Sequence, residues 1–204
     1  LQSSVSLTIS GLWIERGERD LCKDFSFSAQ SGEVVRILGE NGAGKSSLLK
    51  VIVGVISPLE GKIVYSGEDV TLDRNPLQQD AIYIGHSVGV KNLLTVAENI
   101  RCYCPDVSPE TLDTVLKQLD LLDHIDALVR TLSAGQLRRV ALARLWLTEK
   151  TLWLLDEPFA SLDVGAIALL EERIQLHVSS GGLVVLTTHQ DLRSLSCRDV
   201  ALLS

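Results

Sequence analysis

The chain has 204 residues, of which 46% are hydrophobic, enough to bury the core of an ordinary domain, and it carries a net charge of -7 with a pI near 5.1. That balance, with no block of lysine or arginine, argues against nucleic acid as a partner. No apolar run reaches the ~18 residues of a membrane span, because Arg144, Glu149 and Lys150 interrupt the longest one, so any membrane role is expected to be peripheral.

β-forming clusters at residues 5–9, 12–14 and 25–29 predict strands in an antiparallel start, and Ser31-Gly32 is a turn into a further strand over 34–38. The run that follows, Gly39, Glu40, Asn41, Gly42, Ala43, Gly44, Lys45, Ser46, satisfies G-x-x-x-x-G-K-[ST] at every fixed position. Glycines there let successive backbone N–H groups close around phosphate oxygens without a Cβ in the way. Lys45 is expected to neutralise the outer phosphates and Ser46 to hold Mg²⁺, with Ser47 at the start of a helix carrying Leu48, Leu49, Val51 and Ile52.

Ser57-Pro58 and Gly61 mark a loop, residues 62–65 a short strand, Ser66-Gly67 a turn and 81–84 another strand. Thr95 and Glu98 have capping-box spacing, and Ser108-Pro109 is an N-cap followed by proline at the first helical position, so 95–130 is predicted mostly helical. Beyond it the pattern alternates: helix 134–147, strand 151–155, helix 164–178, strand 183–188. Such βα alternation predicts a mainly parallel sheet covered by helices, and its wholly apolar strands fit burial on both faces.

Asp156 and Glu157 fall just beyond a buried strand, at the edge where open α/β sheets keep their ligands. Two acids there call for a cation: Asp156 suits Mg²⁺, and Glu157 suits polarising the water that attacks a γ-phosphate. Leu132, Ser133, Ala134, Gly135 and Gln136 precede an amphipathic helix. Alone, they describe a capped helix start, whose free N–H groups can also receive an anion. Four scattered cysteines (Cys22, Cys102, Cys104, Cys197), with no repeated C-x-x-C and no secretory leader, fit a reducing, cytoplasmic compartment.

Taken together, the phosphate loop (39–46), the signature (132–136), the strand-end acids (152–157), Ser161-Leu162-Asp163 and His189 after a strand occur in the order of the ATP-binding cassette transport ATPases, and the chain resembles that family over nearly its whole length. The resemblance implies an α/β fold of cassette type: a RecA-like P-loop NTPase core with an N-terminal antiparallel β subdomain and a helical subdomain at about 87–135. It implies one nucleotide-binding domain over 1–204, with no further domain expected after Ser204. It implies ATP and Mg²⁺ as ligands, and a head-to-tail pair of cassettes in which each ATP meets the Walker residues of one copy and Ser133, Ala134, Gly135 and Gln136 of the other. Glu157 would be general base, His189 would contact the γ-phosphate and Asp163 would link the two sites.

Three positions depart from the common pattern. Ala134 replaces a glycine within the signature. His86 stands where a glutamine is usual, a change expected to make activity sensitive to pH between about 5 and 8. Arg16 lies near the place of the adenine-stacking aromatic, and its planar guanidinium, or nearby Trp13, is expected to stack there. Longer runs around 84–86, 94–99, 132–148 and 181–190 resemble the haem-exporting ATPases of cytochrome c maturation, a branch of the same family in which the histidine and the alanine are expected. That likeness implies a peripheral subunit on the cytoplasmic face of the inner membrane, bound to integral permease subunits. The permease subunits would handle the haem and dock near 86–104, and this chain would supply force. An ATPase for another substrate is the alternative. A clamp-type cassette protein would need sustained heptads between Ser46 and Leu132, and none occur.

Overall fold

The computed structural model describes residues 5–17, 19–190, 192 and 194–202. A four-stranded antiparallel sheet, in the order β2-β1-β4-β5, comprises β1 (Ser6–Arg16), β2 (Arg19–Gln30), β4 (Glu60–Tyr65) and β5 (Glu68–Asp69). A five-stranded parallel sheet, in the order β6-β7-β8-β3-β9, comprises β3 (Val34–Leu38), β6 (Ala81–Ile84), β7 (Leu152–Asp156), β8 (Leu183–Thr187) and β9 (Arg198–Ala201). The helices are α1 (Lys45–Ile52), α2 (Asn75–Asp80), α3 (Val96–Tyr103), α4 (Pro109–Gln118), α5 (Ala134–Leu142), α6 (Arg144–Leu147) and α7 (Val164–Ser179).

The apolar strands divide their side chains by the period-two rule. Leu152 and Leu154 of β7, with Leu183 and Val185 of β8, face the antiparallel sheet and α1. Trp153 and Leu155, with Val184 and Leu186, face α6 and α7. All five residues of both strands are buried, so each contributes to a core whichever way it points. Trp153 is fully buried and stacks on His177 with centroids 3.8 Å apart; its truncation to alanine would cost about 3–5 kcal/mol. A third cluster runs through α3, α4 and the C-terminal end of α5, from Val96 to Ala143.

Three expectations need correction. The first two predicted strands are one strand, β1, interrupted by register shifts around Gly11 (φ 60°) rather than by a turn. The predicted helical stretch ends at Gln118: Asp120 adopts φ 54°, and residues 119–131 make two short 3-10 turns and a β-bridge between Thr95 and Leu128. The helix predicted over 134–147 is divided at Ala143. α2, β5 and β9 were not anticipated. Among the described residues, no helix is long and apolar enough to cross a membrane.

Candidate nucleotide site

β3 delivers the chain to the phosphate loop, and the loop turns directly into α1. Gly44, the N-cap, sits at φ 98° with no side chain capping the helix, and a Cβ there would lie 2.8 Å from Leu21 Cβ. Only glycine fits, and the first amides of α1 are left for a ligand. The Lys45 ammonium donates to the carbonyls of Gly39 (2.6 Å) and Glu40 (3.0 Å), and lies 3.2 Å from His189 Nε2.

At the end of β7 the Asp156 carboxylate is 1% exposed. Its Oδ1 accepts from Ser46 Oγ (3.0 Å) and from Thr187 Oγ1 (2.8 Å), so hydroxyls from α1 and β8 converge on one buried acid. Burial pushes the Tyr83 phenol up to about 12, and the Asp156 charge adds to the shift. Glu157 has the left-handed backbone conformation (φ 49°), which costs about 1–2 kcal/mol for a non-glycine residue and must be held from outside. Thr187 holds its amide, accepting through its carbonyl oxygen (3.1 Å) and its hydroxyl (2.9 Å). Glu157 Oε1 lies 3.5 Å from His189 Nε2. That nitrogen cannot both accept from Lys45 and donate to Glu157.

Gly44, Lys45, Ser46, Asp156, Glu157 and His189 line one cleft of about 490 Å³ together with Asn41, Gly42, Ser47, His86 and Arg16. Most of the expected nucleotide-site residues are therefore brought together. Arg16, at the end of β1, reaches this cleft. Trp13 does not line it: its indole N–H donates to Asp20 (2.6 Å) and Lys23 sits over its ring. Ser133, Ala134, Gly135 and Gln136 are not among the residues lining the cleft. Ser133 and Gln136 close a capping box at the start of α5, with Ser133 and Ala134 exposed, and Gln136 Nε2 is 2.9 Å from His124 Nε2. A Cβ on Gly135 would meet the Ser161 carbonyl oxygen at 2.8 Å. Asp163 is the N-cap of α7, accepting from the Ala166 amide and from Arg139 (2.6 Å). The amide bond, with the Arg139 charge beside it, holds its carboxyl below the usual range.

Two residues were missed. Thr187 lay inside a recognised run, but only His189 was given a role. Arg138 reads as one more charge on an amphipathic helix, yet it is 3% exposed and bonded across 18 to 53 residues of sequence. The only local signal is a paired arginine one turn after a glycine.

Residues 22–160 match the model of the ABC transporter family. The chain belongs to that family. It is accordingly an ABC ATPase that binds ATP, and cassettes of this kind work as dimers with membrane permeases. Its relatives include the cytochrome c biogenesis ATP-binding export protein CcmA of Vibrio parahaemolyticus, 44% identical over 91% of this chain and 93% of the relative. The protein of the same name from Tatumella citrea is 44% identical over 87% of this chain and 85% of the relative. A putative ABC transporter ATP-binding protein from Pyrococcus furiosus superposes with a TM-score of 0.82 over 97% of both chains at 22% identity, a likeness of fold.

Proposed function

We propose that this cassette hydrolyses ATP for a membrane complex of cytochrome c biogenesis, driving either export of haem or release of a haem-loaded chaperone from its docking partner. The observation that carries the ATPase chemistry is the convergence of Ser46, Asp156, Glu157, Lys45 and His189 on one cleft. The name shared by the relatives at 44% identity supports the cargo.

In this reading the amides of residues 39–47 cradle the phosphates, and Lys45 exchanges its loop carbonyls for phosphate oxygens. Ser46 and Asp156 offer a hydroxyl and a carboxylate oxygen within 3.0 Å, a hard donor set suited to Mg²⁺, which would supply charge neutralisation for the phosphates. Glu157 takes the proton of the attacking water, His189 contacts the γ-phosphate, His86 orients groups at the mouth of the cleft, and Arg16 stacks on the base. Ser133, Ala134, Gly135 and Gln136, turned outward, serve the ATP of a second, head-to-tail copy, and Asp163 stands at that junction.

The proposed division is one nucleotide-binding domain over 1–204 with a helical part at about 87–135, supported by the separate apolar cluster around α3 and α4. The chain sits peripherally on the cytoplasmic face of the inner membrane, bound to integral permease subunits that handle the haem. Copurification from membranes with an absorbance scan tests this. A complex with a permease of cytochrome maturation that carries a haem band is expected, and a haem-free complex with an unrelated permease would reject the cargo.

A further inference from the structure

Arg138 lies in the second turn of α5, five residues after the signature serine, and its side chain leaves the helical layer for the ends of the parallel strands. Its five N–H donors meet five main-chain carbonyls: Nε donates to Pro158 (3.2 Å), one terminal nitrogen to Gly85 (2.9 Å) and His86 (3.5 Å), and the other to Asp156 (2.8 Å) and Glu157 (2.5 Å). Among the described residues, this guanidinium donates to no carboxylate; the charges of Asp156 and Glu157 act on it through space. A buried cation used in this way is costly unless its geometry is complete, and here every donor has an acceptor.

The carbonyls it gathers belong to the loop carrying His86 and to three consecutive residues at the catalytic edge. Glu157 is thereby pinned on both sides of its left-handed backbone, with Thr187 on its amide and Arg138 on its carbonyl. We infer that Arg138 is a positioning residue that fixes the Glu157 carboxylate for proton abstraction and ties it to the signature helix and the His86 loop. The inference rests on the reading of Glu157 as general base. It also makes the start of α5 and the catalytic edge of the same chain one mechanical unit. A second copy's ATP seated on Ser133 would then act on this chain's own Glu157 through a single guanidinium.

Lysine can fill at most three of the five bonds and glutamine two. With displacements of ~1 Å costing up to about 10²-fold in rate, Arg138→Gln is expected to lower kcat about 10- to 100-fold. Arg138→Lys should fall between it and the wild type, with KM and the directly measured MgATP affinity within about twofold in both. Rates are normalised to sites titrated by bound nucleotide, so unfolded material does not count. Should Arg138→Gln not fold, the lysine variant carries the test. Wild-type kcat in the folded variants, or a rise in KM with kcat kept, overturns the inference.

Glu157→Gln and the double variant Glu157→Gln/Arg138→Gln, compared in single turnovers, identify the route. If Arg138 acts through Glu157, the double variant is no slower than Glu157→Gln alone. Losses that multiply place the effect elsewhere and reject the inference. Normal turnover in Glu157→Gln removes Glu157 from its role and the inference with it, whereas an inactive Glu157→Gln beside a fully active Arg138→Gln overturns the inference alone.

Discussion

Helix α1 begins on Gly44, left-handed and with no side chain closing it, whereas α5 begins on Ser133, whose hydroxyl and amide are both closed by Gln136. Both are helix starts that can receive an anion. The first is open and lies among residues of its own cleft, Lys45, Asp156 and His189 among them. The second is closed by its own capping box, and its Ser133 and Ala134 face outward. The contrast fits the division of labour proposed above, in which α1 binds in its own chain and α5 presents a preformed corner to a second copy.

The largest effect that would break this contrast lies at the first site. Glu157→Gln is expected to lower turnover by about 10²–10⁴ while keeping MgATP binding, and steady-state hydrolysis beside calorimetry checks both halves. Lys45→Ala, which removes a charged donor, should weaken MgATP by about 10- to 100-fold; unchanged binding would mean that the loop has been misread. Ser133→Ala sharpens the comparison from the other end. Loss of the cap should cost about 1 kcal/mol of stability and reduce turnover, yet leave the affinity of the isolated chain for ATP intact, because Ser133 does not line that chain's own cleft. Weakened binding in the monomer would erase the division.

A smaller effect concerns pH. His177 is buried against Trp153, which lowers its pKa from 6.5 to about 4, so the fold holds it neutral. Its folded value is below the unfolded one. Its contribution is therefore complete above about pH 6.5 and is lost as pH falls towards 4, by about 1–2 kcal/mol between pH 7.5 and 5. Melting curves across that range should fall by a few degrees, and His177→Gln should be less stable throughout but lose that slope.

What could be read from residue order was the chemistry carried by local runs. The phosphate loop, the strand-end acids and the capping boxes each lie within about eight residues and need no tertiary partner to be recognised. β7 and β8 were legible because burial on both faces leaves an unbroken apolar stretch. β9 was not, since Arg198–Ala201 is mostly exposed and is held by its ladder to β3 and by the Arg36–Asp199 pair, a contact spanning 163 residues. α2 has six residues and a single buried one, Leu77, too few to show a period. Residues 119–131 misled for the opposite reason: leucines and isoleucine at helical spacing pack onto the third cluster from 3-10 turns, once Asp120 has reversed the chain. Arg138 shows how far local reading extends, because nothing near it in the chain reports its partners.

The close approach of Gly135 to the Ser161 carbonyl has a consequence of its own. A single methyl group at that position would act as a wedge, forcing the start of α5 away from the segment that follows the strand-end acids. The missing side chain is thus demanded by fit within one molecule, apart from any need to let a phosphate come near. A copy that never met another copy would still require it.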